Sequence, residues 1–143
     1  MFLGEFQHSV DSKGRLVLPS KFRDRLGRGL IVTKGQERCL YVFPIGKWEE
    51  EVEQVNRLPR TDRRSRNYAR SFFGSATDQQ LDGQGRIQIP QPLREYSGIS
   101  KDVVIVGVAD RVEIWEVNSW EIVSGEADEL FAGIEDALSE QGI

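Results

Sequence analysis

The sequence predicts an α+β domain, mainly β, made of two tandem ββαββα-type repeats that form one β-rich core with capping helices. The first observation behind this is an internal duplication. Asp11-Ser12-Lys13-Gly14-Arg15-Leu16-Val17-Leu18-Pro19 returns 71 residues later as Asp82-Gly83-Gln84-Gly85-Arg86-Ile87-Gln88-Ile89-Pro90. Phe22 and Arg23 match Leu93 and Arg94 at that offset, and Leu40, Val42, Phe43 and Trp48 match Val112, Ile114, Trp115 and Trp120 at an offset of 72. The second observation is that each copy repeats one order of strand, turn and helix signals. Two repeats follow, residues 1–75 with a basic helical segment and residues 76–143 with an acidic C-terminal helix.

Each element has a local cause. Phe6, His8 and Val10 alternate with polar residues, as in a half-buried strand. Asp11 through Gly14, and Asp82 through Gly85, place Asp first and Gly fourth, the type I turn preference. After each turn Leu16 and Leu18, or Ile87 and Ile89, occupy one face of a strand, so Arg15 and Val17, or Arg86 and Gln88, face away from the core. Pro19 and Pro90 end these strands. Short helices are expected over Ser20 to Leu26 and Pro92 to Tyr96, with Gly27 and Gly98 as left-handed terminators. Leu30 to Lys34 with Cys39 to Phe43, and Val103 to Val108 with Val112 to Val117, read as hairpins. Trp48, Val52 and Val55 keep helical spacing, and a further helix is expected from Thr61 to Phe73 beyond Pro59. Ala127, Leu130, Phe131, Ile134 and Leu138 form an apolar stripe on an acidic segment, and such a stripe needs a partner surface.

Composition excludes several classes. At 143 residues, 38% hydrophobic and 29% charged, the chain is neither collagen-like nor wholly disordered, and it is long enough for a true core. No apolar run approaches the ~18 residues of a membrane span, and the N-terminus lacks the basic and apolar regions of a secretory signal. A lone cysteine, Cys39, within the apolar run CLYVF reads as a buried small hydrophobe in a reducing cytoplasm. One Cys and one His cannot assemble a zinc site, and His8 reads as a packed or edge residue. Neither a phosphate-cradling P-loop nor G-x-G-x-x-G is present, so no cofactor, metal or catalytic group is expected and the chain does not read as an enzyme.

Charge is unevenly divided. Residues 1–75 hold 15 Lys and Arg against 9 Asp and Glu, a net of +6, whereas residues 76–143 hold 4 against 14, a net of −10. The first half suits a polyanion, and the second would repel one if it faced the same way. Arg15 is the leading candidate for a base contact, because its fork can engage guanine O6 and N7 together. Lys13, Lys21, Arg23 and Arg25 lie near it in sequence and suit phosphate contacts; Arg86 is the duplicate of Arg15 in a less basic setting. The alternative is that Asp11 with Arg15, and Asp82 with Arg86, merely clamp their turns as ion pairs. Arg57, Arg60, Arg63, Arg64, Arg66 and Arg70, against the single acid Asp62, form either a nucleic-acid patch or an interface with acids of a neighbouring subunit.

MFLGEF followed by DSKGRLVLP and DGQGRIQIP resembles the MraZ family and, more distantly, AbrB-type DNA-binding hairpins. The resemblance covers essentially the whole chain. It implies a double AbrB-like, swapped-hairpin fold and a homo-oligomer closed into a ring of eight or more subunits. It also implies a cytoplasmic, nucleoid-associated regulator of transcription that binds double-stranded promoter repeats upstream of the division and cell-wall gene cluster. The family motif falls on Asp11, Gly14 and Arg15 and on Asp82, Gly85 and Arg86. The second copy departs from the first in having Gln84 for Lys13 and Pro92 for Lys21. The competing expectation is a structural or partner-recruiting oligomer without sequence-specific DNA binding.

Overall fold

Strands from the two repeats pair with one another more than with their own neighbours in sequence. The computed structural model describes residues 1–133 and Gly142. Its first repeat runs β1 (Phe2–Ser9), β2 (Arg15–Val17), α1 (Ser20–Arg23), β3 (Leu30–Lys34), β4 (Leu40–Pro44), α2 (Ile45–Asn56) and α3 (Arg63–Gly74). The second runs β5 (Thr77–Gln79), β6 (Arg86–Gln88), α4 (Gln91–Ser97), β7 (Asp102–Ala109), β8 (Arg111–Glu116) and α5 (Val117–Gly133). An antiparallel six-stranded sheet has the order β1-β7-β8-β4-β3-β5, and β2 pairs with β6 in a separate two-stranded ribbon.

The expected hairpins form as β3 with β4 and β7 with β8. The turn at Asp11–Gly14 joins β1 to β2, yet those strands part: β1 crosses to β7 and β2 to β6, while β5 crosses back to β3. This mutual exchange has the swapped character that the resemblance implies. At the centre of the ribbon Leu16 faces Ile87, and at the centre of the sheet Tyr41 faces Glu113. Each pair joins duplicate-equivalent residues, so one approximate two-fold axis runs through both and relates the repeats.

The core lies between ribbon and sheet. Leu16, Leu18, Ile87 and Ile89 from the ribbon meet Leu30, Val32, Leu40, Val42, Val112 and Ile114 from the sheet, with Phe22 and Leu93 contributed by α1 and α4. Strand alternation sends Tyr41, Phe43 and Trp115 to the opposite face. There Phe43 and Trp48 pack against Phe72 of α3, and Trp120 of α5 lies against Trp115 at 5.6 Å. The molecule is therefore layered: ribbon, sheet, then α2, α3 and α5.

Several expected boundaries move. β1 begins at Phe2 because β7 offers it an eight-pair ladder, a non-local cause that alternation from Phe6 does not reveal. α1 spans a single turn rather than reaching Leu26; hydrogen-bonded turns follow it, and the positive φ falls on Gly29 at 125° instead of Gly27. Gly98 terminates α4 as expected, at φ 70°. α5 starts directly after β8, and the stripe residues Ile134 and Leu138 lie outside the described residues. Cys39 is buried, and burial pushes its thiol pKa up, which favours the neutral thiol.

Candidate nucleic-acid interface

The two duplicated turns flank the β2–β6 ribbon, one at each end of its three-pair ladder. Gly14 N donates to Asp11 O at 3.0 Å, and Gly85 N to Asp82 O at 3.0 Å, closing each type I turn. Asp11 Oδ1 accepts from the amides of Lys13 and Arg15, both at 2.9 Å, while its Oδ2 accepts from Arg15 Nε at 2.7 Å. Asp82 repeats this geometry with Gln84 and Arg86 at the same three distances. The turns also lock across the two-fold axis. Leu18 N donates to Gly85 O at 3.0 Å, and Ile89 N to Gly14 O at 2.7 Å.

Glycine is required at both turns for two reasons. Gly14 and Gly85 have φ of 80° and 73°. A Cβ on Gly14 would collide with Arg94 Nη1, and one on Gly85 with the Arg23 guanidinium. Arg23 and Arg94 occupy those places because they brace the strand ends. Arg23 Nε and Nη2 donate to Leu18 O at 3.0 and 2.9 Å, and Arg94 Nη1 to Ile89 O at 2.5 Å.

The alternation read from the sequence holds: Leu16 and Leu18 are fully buried, and Arg15, Val17, Arg86 and Gln88 form the outer face. Arg15 lies opposite Gln88 and Val17 opposite Arg86, so the arginines sit diagonally across the ribbon. Both line one shallow depression with Thr77, Gln79, Asp82 and Gln88. Lys13 is exposed in the turn preceding Arg15. Lys21 and Arg25 lie instead over the rings of Phe6 and Phe2, at 5.3 and 4.7 Å, and Arg25 also donates to Ala109 O. Gln79, at the end of β5, and Gln88, on β6, take part in the site in a way that sequence reasoning did not single out. Gln79 takes both backbone groups of Gln88 on its side-chain amide, at 2.8 and 2.7 Å, and Gln88 Nε2 donates to Lys13 O at 2.6 Å. The Gln79–Gln88 contact is local to the second turn, whereas the β2–β6 pairing brings Gln88 to Lys13.

The clamp is thus real, and it leaves the guanidinium usable. Arg15 is held through Nε, which fixes the plane of the group; its side chain remains about a third exposed, at 33%. The Arg86 amide, and next its guanidinium, hold the Asp82 carboxyl down at about 2; the Arg15 amide lowers Asp11 in the same way. A depressed folded pKa stabilises fully above the unfolded value of ~3.9 and stops doing so as pH falls through the folded value. Carbon-13 NMR is expected to titrate Asp82 near 2 in the folded protein and higher in Arg86→Ala, which loses the guanidinium, while the retained amides still hold it below the ordinary carboxylate value. An ordinary midpoint in the wild type would show that the clamp does not form in solution.

The arginine run is placed elsewhere. Arg63, Arg64, Arg66 and Arg70 lie on α3, in the layer on the far side of the sheet from the ribbon. Among the described residues there is no cluster of three or more His, Cys, Asp or Glu able to hold a metal ion, and no helix long and apolar enough to cross a membrane.

The duplicated turns have a counterpart in comparisons with known proteins: the family model described as "MraZ protein, putative antitoxin-like" matches residues 1–71 and again residues 72–140. The chain belongs to the MraZ family. It is 46% identical over 143 residues to the transcriptional regulator MraZ of Acetivibrio thermocellus, covering all of both chains. Identity is 47% over 138 residues to that of Salinispora tropica, covering 96% of this chain and 97% of the relative. For Finegoldia magna it is 42% over 140 residues, covering 98% of each. Membership in the MraZ family places the two Asp-x-x-Gly-Arg turns in matched units of a repeated domain, consistent with their near-identical geometry.

Proposed function

We propose that this protein is a cytoplasmic, nucleoid-associated transcriptional regulator that recognises double-stranded DNA through the β2–β6 ribbon. The observation that carries this reading is the pair of clamped arginines displayed diagonally across the outer face of a two-stranded ribbon. The major groove of B-DNA admits such a ribbon, and an arginine fork can read guanine O6 and N7 there. In this reading Arg15 makes the leading base contact and Arg86 a lesser one, with Gln88 and the exposed methyls of Val17 beside them. Lys13, Lys21 and Arg25 supply phosphate contacts, whereas Arg23, turned onto Leu18 O, positions the strand. Asp11, Gly14, Asp82 and Gly85 shape the turns.

Charge layout supports the same reading. The described acids of α5 (Glu121, Glu126, Asp128 and Glu129) belong to the layer beyond the sheet. The sheet stands between the start of this helix and the ribbon, and exposed charges farther apart than a Debye length of ~8–10 Å at physiological salt are largely screened. Glu135, Asp136 and Glu140 of the acidic tail lie outside the described residues.

The regulator reading extends to promoter repeats upstream of the division and cell-wall gene cluster, bound by a closed ring of subunits. One ribbon is too small for tight specific binding, and a ring meeting several boxes supplies avidity. Fluorescence anisotropy tests the reading. A fragment upstream of the protein's own gene is expected to bind at least tenfold more tightly than a scrambled duplex at moderate salt, with the logarithm of each affinity falling linearly against log salt. Equal affinity for the two duplexes would overturn sequence-specific binding and leave the partner-recruiting oligomer as the better reading.

A further inference from the structure

The duplication is asymmetric on the layer opposite the ribbon. In the first repeat, α2 and α3 together cover the sheet, with Phe72 lying among Phe43, Trp48 and Tyr68. In the second repeat only α5 does this, and it overruns the sheet. Its apolar stripe is half-buried at Val117, Trp120 and Val123, where the helix lies on β7 and β8, and every described residue from Gly125 onward is exposed. Leu130 and Phe131 continue that stripe at 65% and 80% exposure. Glu126, Asp128 and Glu129 flank it, and residues 117–133 contain no Lys or Arg.

A surface of the opposite character lies on the first repeat. Where α2 gives way to α3, a notch of about 250 Å³ has an apolar floor of Val55, Leu58 and Ala69 and a rim of Arg60, Arg66 and Arg70. The nearest partners of its rim cations are uncharged: Arg66 Nη1 donates to Arg60 O, and Arg70 Nη1 to Asn67 Oδ1. Residues 57–70 hold six arginines against one aspartate.

We propose that the overhanging end of α5 docks into the α2–α3 notch of a second copy of this chain. Leu130 and Phe131 enter the apolar floor, and Glu126 and Glu129 meet the arginine rim. The two surfaces are complementary in charge and both pair an apolar centre with a charged border, which is the arrangement of a specific interface. They are also different surfaces, so the contact is heterologous and repeats head to tail until the rotation closes a ring. This assigns the arginine run to assembly instead of DNA, and it rests on the oligomeric part of the function proposed above. Both surfaces lie on the layer opposite the ribbon, which leaves every ribbon of the assembly accessible to a duplex.

The test is a charge exchange. Arg66→Glu with Arg70→Glu reverses the notch, and Glu126→Arg with Glu129→Arg reverses the helix; all four side chains are exposed, and circular dichroism verifies folding. Each variant alone is expected to dissociate at concentrations at least tenfold above those at which the wild type does, by light scattering. Mixing the two restores assembly, since every contact between unlike subunits is then either native or fully exchanged. A duplex with a single box is expected to bind both variants as it binds the wild type. Wild-type assembly in either variant overturns the proposed interface, as does loss of assembly that mixing fails to recover. A wild type that is itself monomeric at micromolar concentration overturns the oligomeric reading, a failure separate from that of the interface.

Discussion

Replacing Arg15 by alanine is expected to weaken binding to a single promoter box by roughly tenfold to a hundredfold, the loss of one good bidentate base contact at about 1–3 kcal/mol. Folding is expected to persist, because Leu16 and Leu18 bury the other face of β2 and Asp11 keeps its bonds to the Lys13 and Arg15 amides. On a promoter with several boxes the deficit multiplies across engaged subunits. Arg15→Lys separates fork from charge: a lysine keeps the cation but replaces the rigid fork held by Asp11 with a flexible point charge, so discrimination between promoter and scrambled DNA falls further than affinity does. Arg86→Ala is expected to cost less. Its side chain is more enclosed, at 23% exposure, and Gln84 and Pro92 stand where the first repeat has Lys13 and Lys21. Anisotropy with one-box and multi-box duplexes measures all three, and unchanged affinity of folded Arg15→Ala protein would remove the ribbon from the interface.

Leu16→Ala is expected to be the most destabilising of the single substitutions considered. Leu16 is fully buried, lies on the approximate two-fold axis opposite Ile87, and packs where ribbon and sheet meet. Truncating such a leucine costs about 2–5 kcal/mol, since transfer free energy is lost and a cavity remains. Against a total of about 5–15 kcal/mol for a domain, that is a large fraction. The melting temperature is expected to fall by roughly 2–4 °C for each kcal/mol lost. Assembly adds concentration-dependent stability, so the comparison belongs in the Arg66→Glu, Arg70→Glu background at fixed concentration. DNA binding should decline as well, because β2 and β6 share this contact. A loss below about 1 kcal/mol by denaturant titration would show that the ribbon relaxes into the space, contrary to a close-packed interior.

How much of this was legible beforehand depends on the range of the interaction responsible. The Asp-x-x-Gly turns, the outward Arg15 and Arg86, the β3–β4 and β7–β8 hairpins and Gly98 at the end of α4 all follow from contacts within a few residues, and those leave a period or a fixed spacing in the sequence. The duplication itself is also a sequence fact, and with it the family resemblance. Pairing of β1 with β7 and of β2 with β6 leaves no such trace. Partners about 70 to 100 residues apart are chosen by which apolar faces close one core, and the same alternation would suit any neighbouring strand.

The remaining decisions also belong to tertiary structure. Arg23 and Lys13 look alike as cations near Arg15, yet only one lies within reach of Leu18 O and against Gly85, because the second repeat's turn packs there. The arginines of residues 57–70 suit DNA or a protein equally well by composition. Their placement across the sheet from the ribbon follows from Phe72 joining Phe43 and Trp48 on the face opposite Leu40 and Val42. Local physics set which residues point outward, and the long-range burial of apolar faces decided which of them point the same way.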